Sequence, residues 1–180
     1  MISQFLSPRS NVRDDAYGGE LAARAKFLLD TVSAVRCAVG PSVPVAVKLN
    51  SADFQKGGFA FEDSLQVAQW LEAAGVDMIE VSGGTYEQPK LLGLEGLEAA
   101  EDIDPVSTPA KSTRQREAYF ADFSLAMQAH VNIPLMVTGG LRRRVVMEDI
   151  IKNGSADVIG LGRPLCVHTN APQRLLDGAD

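Results

Sequence analysis

The sequence predicts a parallel α/β fold, and three observations carry the prediction. Short apolar, β-branched runs alternate with stretches of helical periodicity four times along the 180 residues, the pattern that right-handed crossover units and a parallel sheet produce. The first run, Val43-Pro44-Val45-Ala46-Val47-Lys48-Leu49, has the composition of a strand buried in a parallel sheet. Three of the four runs end in glycine-rich turns, at Ser82-Gly83-Gly84, Thr138-Gly139-Gly140 and Gly160-Leu161-Gly162-Arg163. Two architectures meet these conditions. One is a four-stranded doubly wound sheet; the other is a (β/α)8 TIM barrel truncated to about four βα units, the complete barrel taking about 250 residues.

Each element follows from local chemistry. Residues 7–19 open as loop, since Pro8, Asn11 and Gly18-Gly19 favour turn geometry. Leu21, Ala25, Leu28, Leu29, Val32, Val35 and Val39 then recur at helical spacing until Gly40-Pro41 stops the run. Residues 43–49 are the first strand. A second helix spans about residues 62–74, with Leu65, Ala68 and Leu71 on one face and Gly75 as its C-terminal stop. Residues 76–82 are the second strand. No period is sustained over residues 85–111, which carry Glu95, Glu98, Glu101, Asp102 and Asp104; so long a stretch in a compact domain is usually functional or mobile. Ser112 with Gln115 resembles a capping box opening a third helix to about Ala129. Residues 133–138 form the third strand, residues 143–152 a fourth helix ending at Asn153-Gly154, and residues 156–161 the fourth strand. Residues 171–176 begin one more helix. No Pro/Ser-rich linker divides the chain, so residues 1–180 read as one domain or one piece of a domain.

Composition excludes several classes of function. The chain is 46% hydrophobic and 22% charged with net charge −6, the balance of a soluble globular protein. An acidic surface lacks the counter-charge that nucleic-acid phosphates require. No apolar run approaches the roughly 18 residues that cross a bilayer, and residues 1–9 lack the pattern of a signal peptide; neither membrane insertion nor secretion is expected. Cys37 and Cys166 make no disulfide framework, which points to a reducing, cytoplasmic compartment. His130 and His168 lie far apart in sequence, leaving no good candidates for a histidine metal site or a Ser-His-Asp triad. Ser82-Gly83-Gly84 lacks the preceding glycine of a nucleophile elbow.

In either architecture ligands bind at the C-terminal ends of the strands. Glycines there let backbone N–H groups approach an anion with no Cβ in the way. A single Gly-Gly is more often only a tight turn. Gly139-Gly140 after one strand, followed by Gly162-Arg163 after the next, raises a shared phosphate cradle to an even alternative, with the Arg163 guanidinium supplying a forked contact. Lys48, inside an apolar strand, must snorkel to an edge or meet a negative partner, and burial slightly favours a site role. Asp77 and Glu80 read as one solvated and one ion-paired carboxylate rather than a catalytic pair. Cys166 reads as a small buried side chain. Arg142-Arg143-Arg144 reads as a solvated helix start from which one arginine could reach bound phosphate.

Several motifs together resemble the Old Yellow Enzyme family. They are Gln4-Phe5-Leu6-Ser7-Pro8, Asn11-Val12-Arg13-Asp14-Asp15-Ala16-Tyr17-Gly18-Gly19, Val47-Lys48-Leu49-Asn50, Glu80-Val81-Ser82-Gly83-Gly84, Arg114-Gln115-Arg116-Glu117, Val137-Thr138-Gly139-Gly140 and Gly160-Leu161-Gly162-Arg163-Pro164. The resemblance covers nearly the whole chain. It implies the second half of a (β/α)8 barrel and FMN-dependent NAD(P)H oxidoreductase chemistry, with hydride passing through the flavin to a small acceptor such as an activated alkene. Gly139 and Gly140 match the family's backbone phosphate contacts, and Gly162 with Arg163 the other half of that site. Lys48 stands where many members carry an arginine beside the flavin ring; lysine keeps the charge but not the planar fork. The family's acceptor-binding His-x-x-His or His-x-x-Asn pair and its proton-donating tyrosine precede the position of Met1, so no catalytic residue is assigned. The expectation is a polypeptide of weak or no turnover that pairs with a second copy or with a complementary N-terminal half-barrel. The alternative is a non-catalytic phosphate-binding or flavin-binding module.

Overall fold

The computed structural model describes residues 1–83 and 120–178. Among them the elements run α1 (Ile2–Leu6), α2 (Leu21–Val39), β1 (Ala46–Asn50), α3 (Phe61–Ala73), β2 (Met78–Ser82), α4 (Ala121–Gln128), β3 (Leu135–Thr138), α5 (Arg144–Lys152), β4 (Val158–Gly160), α6 (Pro164–Val167) and α7 (Ala171–Leu176). The strands form one parallel sheet in the order β1-β2-β3-β4. Lys48 lies opposite Glu80, Glu80 opposite Met136, and Met136 opposite Val158. Sequential order with no reversal is how a barrel wall grows, whereas a doubly wound sheet contains a switch in direction.

The two faces of the sheet differ. Val47, Leu49, Ile79, Val81, Leu135 and Val137 are buried in one core with Leu28 and Val32 of α2, Val67 and Leu71 of α3, Met127 of α4 and Ile150 of α5. Their neighbours along the strands point the other way. Ala46, Lys48 and Val158 are exposed, and Glu80 and Met136 are only half-buried. Parallel sheets are ordinarily covered on both faces, and in a barrel the second face is the one that fills the interior. The single-sided core therefore favours the barrel over the doubly wound alternative.

One device sets the register twice. Asp77, just before β2, donates its N–H to the Val45 carbonyl (2.8 Å) and accepts the Val45 N–H on its carboxylate (2.7 Å). Asp157, just before β4, does the same with Leu135, at 2.8 Å for each bond. Arg36 in the last turn of α2 also holds the Asp77 carboxylate and donates to the carbonyls of Val43 (2.7 Å) and Gly75 (2.6 Å). At the other end of the helix layer, Arg24 is 8% exposed. It donates to the Leu6 carbonyl (2.8 Å), the Gly19 carbonyl (2.7 Å) and Asp63 (3.0 Å), tying α1 and the opening loop to α2 and α3.

The strands are shorter than their apolar runs. The first begins at Ala46 rather than residue 43, because Pro44 has no N–H for the ladder and the Val45 N–H goes to Asp77. The third begins at Leu135, after Pro134, for the same reason. α1 and α6 are too short for a period to show in the sequence; α6 starts on Pro164, where a missing N–H costs nothing. The expected loop over residues 85–111 and the Ser112/Gln115 cap lie outside the described residues, and α4 covers the end of the helix expected there.

Candidate functional site

The strand ends assemble the site. After β3 the chain turns through Gly139 (φ +129°) and Gly140 (φ +70°), backbone angles that a side chain would disfavour. Directly across the ladder, Gly160 faces Thr138. A Cβ at residue 160 would overlap the Thr138 hydroxyl, so the close approach of β3 and β4 at this level needs glycine. At Gly162 the place of a side chain is open space. Between these turns lies a cavity of about 520 Å³, lined by Thr138, Gly139, Gly140, Arg142, Gly162, Arg163 and His168 among others, within the size range of small-ligand sites, about 300–1,000 Å³.

Four of the five site residues expected from sequence thus line one cavity: Gly139, Gly140, Gly162 and Arg163. The Arg163 side chain has no partner among the described residues, so its guanidinium is available to a ligand. The Thr138 Oγ1 is buried and likewise without a hydrogen-bond partner. A buried hydroxyl left unsatisfied is costly, and at the wall of this cavity it suits a polar ligand. Open glycine backbone, an available guanidinium and an unsatisfied hydroxyl together fit a phosphate-bearing group.

Lys48 stands apart. It does not line the cavity, and it lies on β1, two strands from β3, about 10 Å across the sheet. It is exposed rather than buried and forms an ion pair with Glu80, whose side chain is 22% exposed. The burial argument for Lys48 is corrected: the strand alternation turns it to the open face. Asp77, at the entrance to β2, stays exposed to solvent although it also meets Arg36, and Glu80 is ion-paired to Lys48, in keeping with one solvated and one ion-paired carboxylate. The Val45 N–H, then Arg36, hold the Asp77 carboxyl below its ordinary range. Cys166 is exposed on α6 rather than buried, and Cys37 is exposed as well. Of the arginine run, Arg142 lines the cavity while Arg144 pairs with Glu148 at 2.7 Å. Among the described residues no cluster could hold a metal ion, and no helix is long and apolar enough to cross a membrane.

Sequence reading missed the buried Thr138 hydroxyl at the cavity wall and the register-setting role that Asp77 shares with Asp157. A signal for the aspartates existed: Val76-Asp77-Met78-Ile79 and Ala156-Asp157-Val158-Ile159 place an aspartate identically before two strands.

Comparison with known proteins gives the family and the fold. The family model described as NADH:flavin oxidoreductase / NADH oxidase family matches residues 1–180. The NADH-dependent flavin oxidoreductase iliE of Hypocrea jecorina is 37% identical over 180 residues, covering 98% of this chain and 42% of that protein. The structure of a 2-naphthoyl-CoA reductase superposes with a TM-score of 0.82 at 25% identity, over 99% of this chain and 25% of its own. The Old Yellow Enzyme homologue of Zymomonas mobilis gives a TM-score of 0.69 at 19% identity, over 100% of this chain and 44% of its own, a likeness of fold. The chain thus spans less than half the length of these relatives.

Proposed function

The chain belongs to the NADH:flavin oxidoreductase / NADH oxidase family, and from that premise we propose that it supplies the phosphate-holding half of an FMN site in an NAD(P)H-dependent oxidoreductase acting on a small acceptor such as an activated alkene. The observation that carries this reading is the convergence of Gly139, Gly140, Gly162 and Arg163 on one cavity at the strand ends. FMN held there would supply the redox chemistry between NAD(P)H and the acceptor.

The roles proposed for the chain's own residues follow from their chemistry. Backbone N–H groups at Gly139, Gly140 and Gly162 donate to phosphate oxygens. Arg163 adds a charge-assisted fork, which is stronger than a neutral contact. The Thr138 hydroxyl gains the acceptor it lacks. Lys48, on the open face, brings positive charge toward the ring end of the ligand, balanced by Glu80.

Flavin binding is the test. Titration of the purified chain with FMN is expected to shift the visible flavin spectrum, and Arg163→Gln should weaken binding about tenfold or more. A chain that binds simple phosphates while leaving the FMN spectrum unchanged would favour a non-catalytic phosphate-binding module instead.

A further inference from the structure

The sheet carries very little charge. Among the residues of β1, β2, β3 and β4, only Lys48 and Glu80 are of charged type. The parallel register sets them opposite each other on neighbouring strands, and their side chains form an ion pair on the open face. Met136 and Val158 continue the same level on β3 and β4. All the charge of this face is thus one pair on the β1–β2 side, and the two strands that lead into the glycine cradle keep their side apolar.

The two partners are held unequally. The Glu80 side chain is 22% exposed and that of Lys48 56%. Glu80 stands on β2, between β1 and β3, whereas β1 has a strand on one side only among the described residues. A carboxylate half removed from water needs a counter-charge. The lysine ammonium is a compact charge on a flexible four-carbon stem, and it can turn to a second anion without any change in the backbone. The next level of the open face, about 6.6 Å toward the strand ends, is Asn50 and Ser82, hydrogen-bonded at 3.2 Å. The way from Lys48 to the ligand end of the sheet is therefore polar. An ion pair this exposed adds little to stability, so the fold by itself gives little reason for a carboxylate here.

We propose that Glu80 is a positioning residue. It holds the Lys48 ammonium at rest and competes for it with the electron-rich ring of reduced FMN, which keeps the reduction potential of bound flavin lower than an unpaired lysine would set. This rests on the FMN reading given above for the ligand, and on the ion pair for the part played by Glu80. Two electrons added to the ring raise its negative charge, and a cation beside it favours that state. A carboxylate that shares the cation takes back part of the effect. The electrons come from NAD(P)H in that reading, and neither Glu80 nor Lys48 gives or takes any.

Redox titration of the full chain loaded with FMN, against dyes of known potential, tests it. Glu80→Gln should move the balance between oxidised and reduced flavin about tenfold toward the reduced form, about 30 mV upward for a two-electron couple. Glu80→Asp should retain most of the unaltered value. Lys48→Met should move the potential downward, and adding Glu80→Gln to it should change nothing further, since the carboxylate then has no ammonium to hold. The urea midpoint of Glu80→Gln should stay close to that of the unaltered chain, which separates tuning from a lost fold. Equal potentials for the unaltered chain and Glu80→Gln would overturn the role, as would an upward shift of the same size in the Lys48→Met background. Failure of the unaltered chain to take up FMN would overturn both the role and the flavin reading. FMN that is bound, and weakened by Arg163→Gln, but whose potential is indifferent to Glu80→Gln, would overturn the role alone.

Discussion

Gly160 and Thr138 face each other at the end of the sheet, and the geometry leaves no space for a methyl group between them. Gly160→Ala should therefore destabilise the fold by about 1–3 kcal/mol, the usual cost of forcing extra volume into packed structure. Thr138→Ala in the same chain removes the hydroxyl that the new Cβ would meet and should return part of the loss. Urea denaturation of the two single variants and the double variant checks this; purely additive losses would show that the two residues do not compete for one space. The same pair explains why the cavity keeps a buried hydroxyl at its wall. A ligand that accepts from Thr138 should raise the melting temperature of the unaltered chain more than that of Thr138→Ala.

At the scale of elements, two charged side chains do work that the backbone ladder cannot. Arg24 connects the Leu6 and Gly19 carbonyls to Asp63 from a nearly buried position. Arg24→Met strands those acceptors and should cost about 3 kcal/mol in chemical denaturation, with Arg24→Lys intermediate because an ammonium cannot reach three directions as a fork does. Asp77 locks β1 to β2, and its carboxyl titrates below the ordinary value of 3.8, chiefly through the Val45 N–H and then through Arg36. A carboxyl whose folded-state value is depressed stabilises the fold above its unfolded value and loses that contribution as pH falls through the folded one. The gap in denaturation midpoint between the unaltered chain and Asp77→Asn should thus be full at neutral pH and close as the pH is lowered from about 5 toward 2. Asp15 behaves alike in the opening loop, where the Arg13 side chain and the Tyr17 N–H bring it down to about 2.

For the whole molecule the deciding feature is the face of the sheet that no described residue covers. β1 and β4 each present one edge with no strand partner among the described residues, and Val158, on the β4 edge, is 40% exposed. Unpaired edges beside apolar surface promote association. Sedimentation should show concentration-dependent self-association of the chain, and Val158→Lys should reduce it, since a charge on an edge strand opposes pairing. A chain that stays monomeric across the concentration range would remove the case for a partner on this face.

Much of this architecture was legible because its determinants are local. Helical periodicity over residues 21–39, the stops at Gly40 and Gly75, and the glycines at 139, 140 and 162 act within a few residues of themselves. They set the alternation of elements, and with it the end of the sheet at which the glycine-lined cavity lies. The strand starts were less legible, because Pro44 and Pro134 only showed where the ladder must fail once the aspartates of the next unit took the free N–H groups. What a side chain meets across the sheet depends on register between segments far apart in the chain. Lys48 and Glu80 are 32 positions apart, and only the strand pairing placed them together on the open face. The sequence by itself determined the alternation of strands and helices and the glycines and arginine at the strand ends; the tertiary structure decided which face of the sheet the described residues leave open and which charges they pair, because burial and pairing are properties of neighbours in space and not of neighbours in the chain.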